Sequence, residues 1–136
     1  MIIRKYQDKD CEKLVALWDL VFPDDPPHND PRAVIAEKTA IDDLIFVAEY
    51  GNTIIASCMA GYDGHRGWLY MVASHPEFRG LGAAVKVVQM AVESLKSLNC
   101  VKINLQIRSD NERVVSFYQK LGFVTEKRIS MGRLLI

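Results

Sequence analysis

Tyr70-Met71-Val72-Ala73-Ser74-His75-Pro76-Glu77-Phe78-Arg79-Gly80-Leu81-Gly82-Ala83-Ala84 is the stretch whose reading decides the fold of this chain. An apolar strand runs into a turn bearing two glycines, and a long segment without Gly or Pro follows. In that segment Val85, Val88, Val92 and Leu95 recur at i, i+3, i+7 and i+10, the spacing of one helical face, and Asn99 is placed to end the helix. A helix start leaves several backbone N–H groups without intrahelical partners, and the helix dipole adds about half a positive charge there. Gly80 and Gly82 let an anion approach the backbone with no Cβ in the way, and Ala84 is nearly as small. Strand, glycine turn and helix together predict a phosphate cradle.

Working outward, the same reasoning orders the rest of the chain. Ile2 to Tyr6 reads as a strand, and Asp8 or Asp10 caps a helix with Leu14, Leu17, Trp18 and Val21 on one face. Pro23, Pro26 and Pro27 stop that helix, and Asp30 with Pro31 opens a second one reaching about Ile41. Leu44–Tyr50 and Thr53–Gly61 form a hairpin about Gly51-Asn52. A second connection, Tyr62 to Gly67, leads into the strand Trp68–Ser74. Beyond the long helix, Lys102–Arg108 alternates with Ile103, Leu105 and Ile107 on one face. Asp110 or Asn111 then caps a last helix that ends at Gly122. Phe123–Glu126 and Arg128–Leu135 complete the pattern as a final strand pair. The expected fold is α/β in the mixed-sheet sense, a central sheet flanked by helices, in one domain spanning residues 1–136.

Composition narrows the functions. The chain has 136 residues, 17 basic against 17 acidic, so it lacks the basic footprint of a protein that neutralises nucleic-acid phosphates. Its length supports a core covering roughly two thirds of the unfolded surface without disulfides or metal. Cys11, Cys58 and Cys100 form no C-x-x-C pair, which excludes a zinc ribbon or a disulfide framework, and no metal is expected. The N-terminus turns polar too soon for a signal peptide, and no window has ~18 continuous apolar residues, so the expected location is the cytosol, away from membranes.

Elimination narrows the phosphate ligand. A Walker A loop counted from Gly80 would need Gly, Lys and a hydroxyl where Val85, Lys86 and Val87 stand. A dinucleotide fingerprint would need a third glycine where Val85 stands. What fits is (R/Q)-x-x-G-x-(G/A), here Arg79-x-x-Gly82-x-Ala84, which resembles motif A of the GNAT superfamily of N-acetyltransferases. Asn111, Tyr118 and Leu121-Gly122-Phe123 resemble a second segment of that superfamily, N-x(6)-Y-x-x-L-G-F. The order of elements is similar too. The Gly61-to-Gly67 connection and the ending Ser130-Met131-Gly132-Arg133-Leu134 resemble a small bacterial branch, the YpeA-like proteins.

The resemblance implies acetyl-CoA as co-substrate and an amine as acceptor. By it, Arg79 and the amides of Gly80, Leu81, Gly82, Ala83, Ala84 and Val85 hold the pyrophosphate. Val72, Ala73 and Ser74 pair strand-like with the pantetheine arm, whose two amides suit an open strand edge. Asn111 hydrogen-bonds the cofactor, and Tyr118 protonates the departing thiolate. A phenol with an ordinary pKa near ~10 can donate to a thiolate whose conjugate acid titrates near ~8.5. Some relatives place a Glu two residues before Arg108, where this chain has Gln106. The base is then open among Glu49, Asp63, His65, His75, Glu77 and a water chain. The acceptor is a small metabolite, an amino acid or a protein amine. A different class of function, a non-catalytic acetyl-CoA-binding sensor, would keep the cradle without turnover, and a nucleotide-binding module is a third. The apolar end, Leu134-Leu135-Ile136, either pairs with a second copy in a homodimer or, more simply, is buried in the monomer's own sheet.

Overall fold

Ile54 to Ala60 is an unbroken run of buried residues, as expected of a strand covered on both faces. In the computed structural model this run lies within β3 (Thr53–Tyr62), the middle strand of a five-stranded sheet ordered β1-β2-β3-β4-β5. Its neighbours are β1 (Ile2–Lys5), β2 (Ile45–Tyr50), β4 (Gly67–Ser74) and β5 (Ile103–Asn104). The structure describes residues 1–136 as two compact units, Met1–Asn104 and Leu105–Ile136. The first holds the sheet with α1 (Cys11–Val21), α2 (Pro31–Thr39) and α3 (Ala83–Ser97); the second holds α4 (Glu112–Lys120).

Strands β1 to β4 pair antiparallel in chain order, and α3 carries the chain over to β5, which pairs parallel with β4. Gly51 takes φ +61° at the tip of the β2–β3 turn. The β3–β4 connection is tied by Asp63, whose carboxylate oxygen accepts the amides of His65 and Arg66, both at 2.8 Å.

The core forms on both faces of the sheet. Leu14, Val15, Leu17 and Trp18 of α1 and Ile35 of α2 bury against Ile45, Val47, Ile54, Met59 and Ala73. Each large aliphatic side chain among them gains about 1.5–3 kcal/mol by leaving water. Alternation turns Phe46 and Ala48 to the other face, and α3 packs across β1 to β4. The buried residues of α3 are Ala83, Val87, Val88, Ala91 and Leu95. This stripe is turned from the expected Val85–Val88–Val92–Leu95 face, because small alanines, not only large side chains, let a helix lie close on a sheet. Trp18 and Cys58 are core residues.

Asp30 caps α2, accepting the Ala33 amide at 3.2 Å with Pro31 in the first turn. Asn99 ends the α3 segment at φ +66°. Asp10 stands before α1 but does not cap it. Its carboxylate instead accepts both Arg4 guanidinium nitrogens, at 2.7 and 2.8 Å, and the Gln7 amide at 2.8 Å.

Three expectations are corrected. The strand expected over 102–108 is β5, only Ile103–Asn104, although Ile103, Leu105 and Ile107 are half-buried as the alternation requires. No strand forms over 123–126 or 128–135, and Leu134, Leu135 and Ile136 are exposed by 60%, 87% and 98% rather than buried in the sheet. Periodicity states which side of a segment is apolar; a strand also needs a neighbour to take its ladder bonds. Neither Asp110 nor Asn111 makes a side-chain cap on α4, although Asn111 occupies the capping position.

Candidate active site

Opposite Cys58 the β3–β4 ladder slips by one residue. Ser57 pairs with Ala73 and Met59 with Tyr70, so Met71 and Val72 together face Cys58. This is a β-bulge, and Met71 takes φ +48°, a left-handed backbone that non-glycine residues adopt at a cost. On the other side, β4 pairs with β5 only at Gly67 and Trp68. From Leu69 to Ser74, which includes Val72, Ala73 and Ser74, that edge has no strand partner within the sheet.

The edge runs directly into the glycine-bearing turn before α3. The His75 amide donates to the Ile55 carbonyl at 2.8 Å, and His75 Nδ1 accepts the Glu77 amide at 3.1 Å. His75 also meets the Phe78 ring edge-on, with centroids 4.9 Å apart. Beyond this anchored turn Arg79, Gly80, Leu81 and Gly82 are exposed. Gly80 stands at φ +91° and Gly82 at φ +73°. A Cβ added to either would meet no protein atom within 4 Å, so the glycines keep open space in front of the helix. Gly82 is the N-cap of α3 and has no side chain to cap with; its carbonyl accepts the first helical bond, from Lys86 at 3.1 Å. The N–H groups of Gly82, Ala83, Ala84 and Val85 therefore lack intrahelical partners at the positive end of a 15-residue helix.

In the second unit, Asn111 immediately precedes α4 and is exposed, while Tyr118 in the last turn is 7% exposed. The Leu121-Gly122-Phe123 segment is a Schellman motif. The Phe123 amide donates to the Tyr118 carbonyl and the Gly122 amide to the Gln119 carbonyl, both at 3.1 Å, with Gly122 at φ +93°. The Phe123 ring meets Tyr118 edge-on with centroids 5.6 Å apart, and Phe117 does so at 5.0 Å. Phe123 of the Y-x-x-L-G-F segment and Phe117 just before it thus pack on the tyrosine ring. Gln106 donates to the Ser130 hydroxyl.

A cleft of about 180 Å³ opens between α1 and α2 in the first unit. Trp18, Phe22, Pro27 and Met71 give it apolar walls, and Asp19, Asp25 and Asp30 give it carboxylates. The proline-rich loop lines it through Pro23, Asp25, Pro26, Pro27 and Asn29. Of the candidate bases, Asp63 is committed to its hairpin, Glu49 lies 3.5 Å from Arg4, and one nitrogen of His75 is occupied.

The Acetyltransferase (GNAT) family matches this chain over residues 11–123. The chain belongs to the GNAT family of acetyltransferases. An acetyltransferase of Yersinia enterocolitica is 39% identical over 140 residues, covering 100% of this chain and 96% of the relative. One from Pectobacterium atrosepticum is 40% identical over the same shares. Among solved structures, an aminoglycoside N-acetyltransferase in complex with CoA superposes with a TM-score of 0.83 at 20% identity, over 99% of this chain and 95% of that one. Glucosamine-6-phosphate N-acetyltransferase from Arabidopsis thaliana gives 0.71 at 25% identity, over 99% and 98%. This GNAT protein is therefore an acyltransferase with a mixed sheet flanked by helices.

Two features of the GNAT fold here escaped the sequence. The bulge at Met71–Val72 has no glycine to announce it. Ser57 did carry a signal, as a hydroxyl in the otherwise apolar run Ile54–Ala60. It is wholly buried, accepts Trp18 Nε1–H at 2.9 Å and donates to the Met71 carbonyl at 2.8 Å.

Proposed function

We propose that residues 1–136 act as one N-acetyltransferase domain that moves the acetyl group of acetyl-CoA to a primary amine. The observation that carries this reading is the uncapped, glycine-fronted start of α3 at the end of a strand with an open edge. The pyrophosphate takes the amides of Gly80, Leu81, Gly82, Ala83, Ala84 and Val85, with Arg79 beside them, and the pantetheine arm runs along Val72, Ala73 and Ser74. Asn111 hydrogen-bonds the cofactor. The amine enters by the cleft at Trp18 and Met71, where Asp19 and Asp25 favour its ammonium form before it loses a proton to water. Its nitrogen then attacks the thioester carbon; the C–N bond forms and the C–S bond breaks, the nitrogen releases one further proton to solvent as it becomes an amide, and the thiolate takes the Tyr118 phenolic proton, which solvent replaces. With no metal required and three free cysteines, the reading sets the enzyme in the cytosol.

Calorimetry with acetyl-CoA, and CoA release against a panel of primary amines, test this together with Tyr118→Phe. The expected result is micromolar acetyl-CoA binding. In Tyr118→Phe turnover should fall by about 10²- to 10⁴-fold with the dissociation constant unchanged. Binding without turnover on any amine would instead make the protein a sensor; no binding in folded protein would refute both.

A further inference from the structure

Only two polar residues are buried in the core, Asp10 and Ser57. Asp10 is explained by Arg4 and the Gln7 amide, which fasten the start of α1. Ser57 lies in the middle of β3, between Ala56 and Cys58, where alanine would fill the space without burying a hydroxyl. Both of its hydrogen-bonding functions are used. An indole N–H can only donate, so Trp18 Nε1 takes a lone pair of Ser57 Oγ and leaves the hydroxyl proton to point at the Met71 carbonyl. The relay Trp18, Ser57, Met71 has one direction.

Its end is the strained residue of the bulge. Left-handed backbone at a non-glycine position costs about 1–3 kcal/mol and persists where surrounding bonds over-determine it. The chain has no cis peptide bonds, so the carbonyl of Met71 and the N–H of Val72 point in opposite directions across their shared peptide. With the carbonyl held toward Ser57 on β3, the Val72 N–H is turned away from β3, toward the side of β4 that lacks a strand partner beyond Trp68.

We propose that Ser57, oriented by Trp18, is a positioning residue that locks the Met71–Val72 peptide so that the Val72 N–H donates to the acyl carbonyl laid along the open edge of β4. This rests on the acetyl-CoA reading above. It assigns the buried hydroxyl to orientation of a backbone donor, the kind of preorganised dipole that stabilises an oxyanion.

The test uses the full chain with labelled methionine and [1-¹³C]acetyl-CoA, in wild type, Ser57→Ala and Trp18→Phe. In wild type the Met71 ¹³Cα and ¹³Cβ shifts should report left-handed backbone, and the bound acetyl carbonyl should resonate downfield of the free ligand. Ser57→Ala should abolish both signatures while acetyl-CoA affinity changes less than about twofold, since the pyrophosphate and pantetheine contacts remain. Trp18→Phe removes one donor and keeps a ring; it should reduce both signatures in part, and it serves alone if Ser57→Ala does not fold. Wild-type-like Met71 and carbonyl shifts in a folded variant would overturn the proposal. If acetyl-CoA fails to bind wild type, the functional reading has failed, and the Met71 shifts still decide whether Ser57 holds the bulge.

Discussion

Gly80 and Gly64 stand at the same φ, +91°, and a Cβ built on either meets no atom within 4 Å. They differ in place: Gly80 fronts α3, and Gly64 tips the β3–β4 connection. Alanine at either position incurs about 1–3 kcal/mol of backbone strain, offset by about 0.4–1 kcal/mol from the stiffer unfolded chain. Both variants should therefore lose about 1–2 kcal/mol, or roughly 3–8 °C in melting temperature for a chain of this size. Their ligand affinities should diverge. If the space before Gly80 admits a pyrophosphate, its Cβ displaces at least one charge-assisted bond of about 1.5–3 kcal/mol, which is about 10- to 150-fold in affinity. Gly64→Ala should bind acetyl-CoA as wild type does. Thermal melts and calorimetric titration of the pair measure both quantities. Wild-type affinity in both Gly80→Ala and Gly64→Ala would refute the cradle; an equal loss in both would show that backbone strain alone accounts for it.

Two more perturbations test the frame that carries the site. At Gly67, where β4 meets β5, a Cβ would fall 2.8 Å from Cys100 Sγ and 3.1 Å from Leu95 Cδ1. Gly67→Ala should cost about 1–3 kcal/mol by overpacking. Adding Cys100→Ala should recover part of it in a chemical-denaturation cycle, and strict additivity would refute the contact. The Arg4 hydrogen bonds hold the Asp10 carboxyl below its ordinary range, against the opposing effect of burial. A depressed carboxylate contributes stability that is present in full above the unfolded value near ~3.9 and is lost as pH falls through the lower folded value. Asp10→Asn should cost about 2–4 kcal/mol at neutral pH and flatten the stability profile below about pH 4; an unchanged acid limb would refute the linkage.

Much of the site is a local property and was legible in the residues. Glycines before a helix, a missing side-chain cap, and a tyrosine three residues before Leu121-Gly122 act through neighbours in sequence, so spacing was enough to expect a cradle and a terminated helix. The same locality explains the hairpin at Gly51 and the cap at Asp30. Long-range partners were not legible. Lys102–Arg108 alternates along its whole length, yet only Ile103 and Asn104 pair, because ladder bonds depend on where another strand ends. The apolar run Leu134–Ile136 reads as a segment to be buried, yet no element of the chain covers it.

The chain by itself determined the order of elements as far as α4, the glycine turn before α3 and its family, since hydrophobic period, caps and glycine placement are set within a few residues of each position. Only the tertiary structure decided that β4 bulges at Met71 and Val72, that its edge stands open beyond Trp68, and that Ser57 holds a carbonyl 14 residues away. A register slip and a buried hydroxyl's choice of partner are set by which strand and helix arrive beside them, a balance of packing and hydrogen bonding that no local pattern encodes.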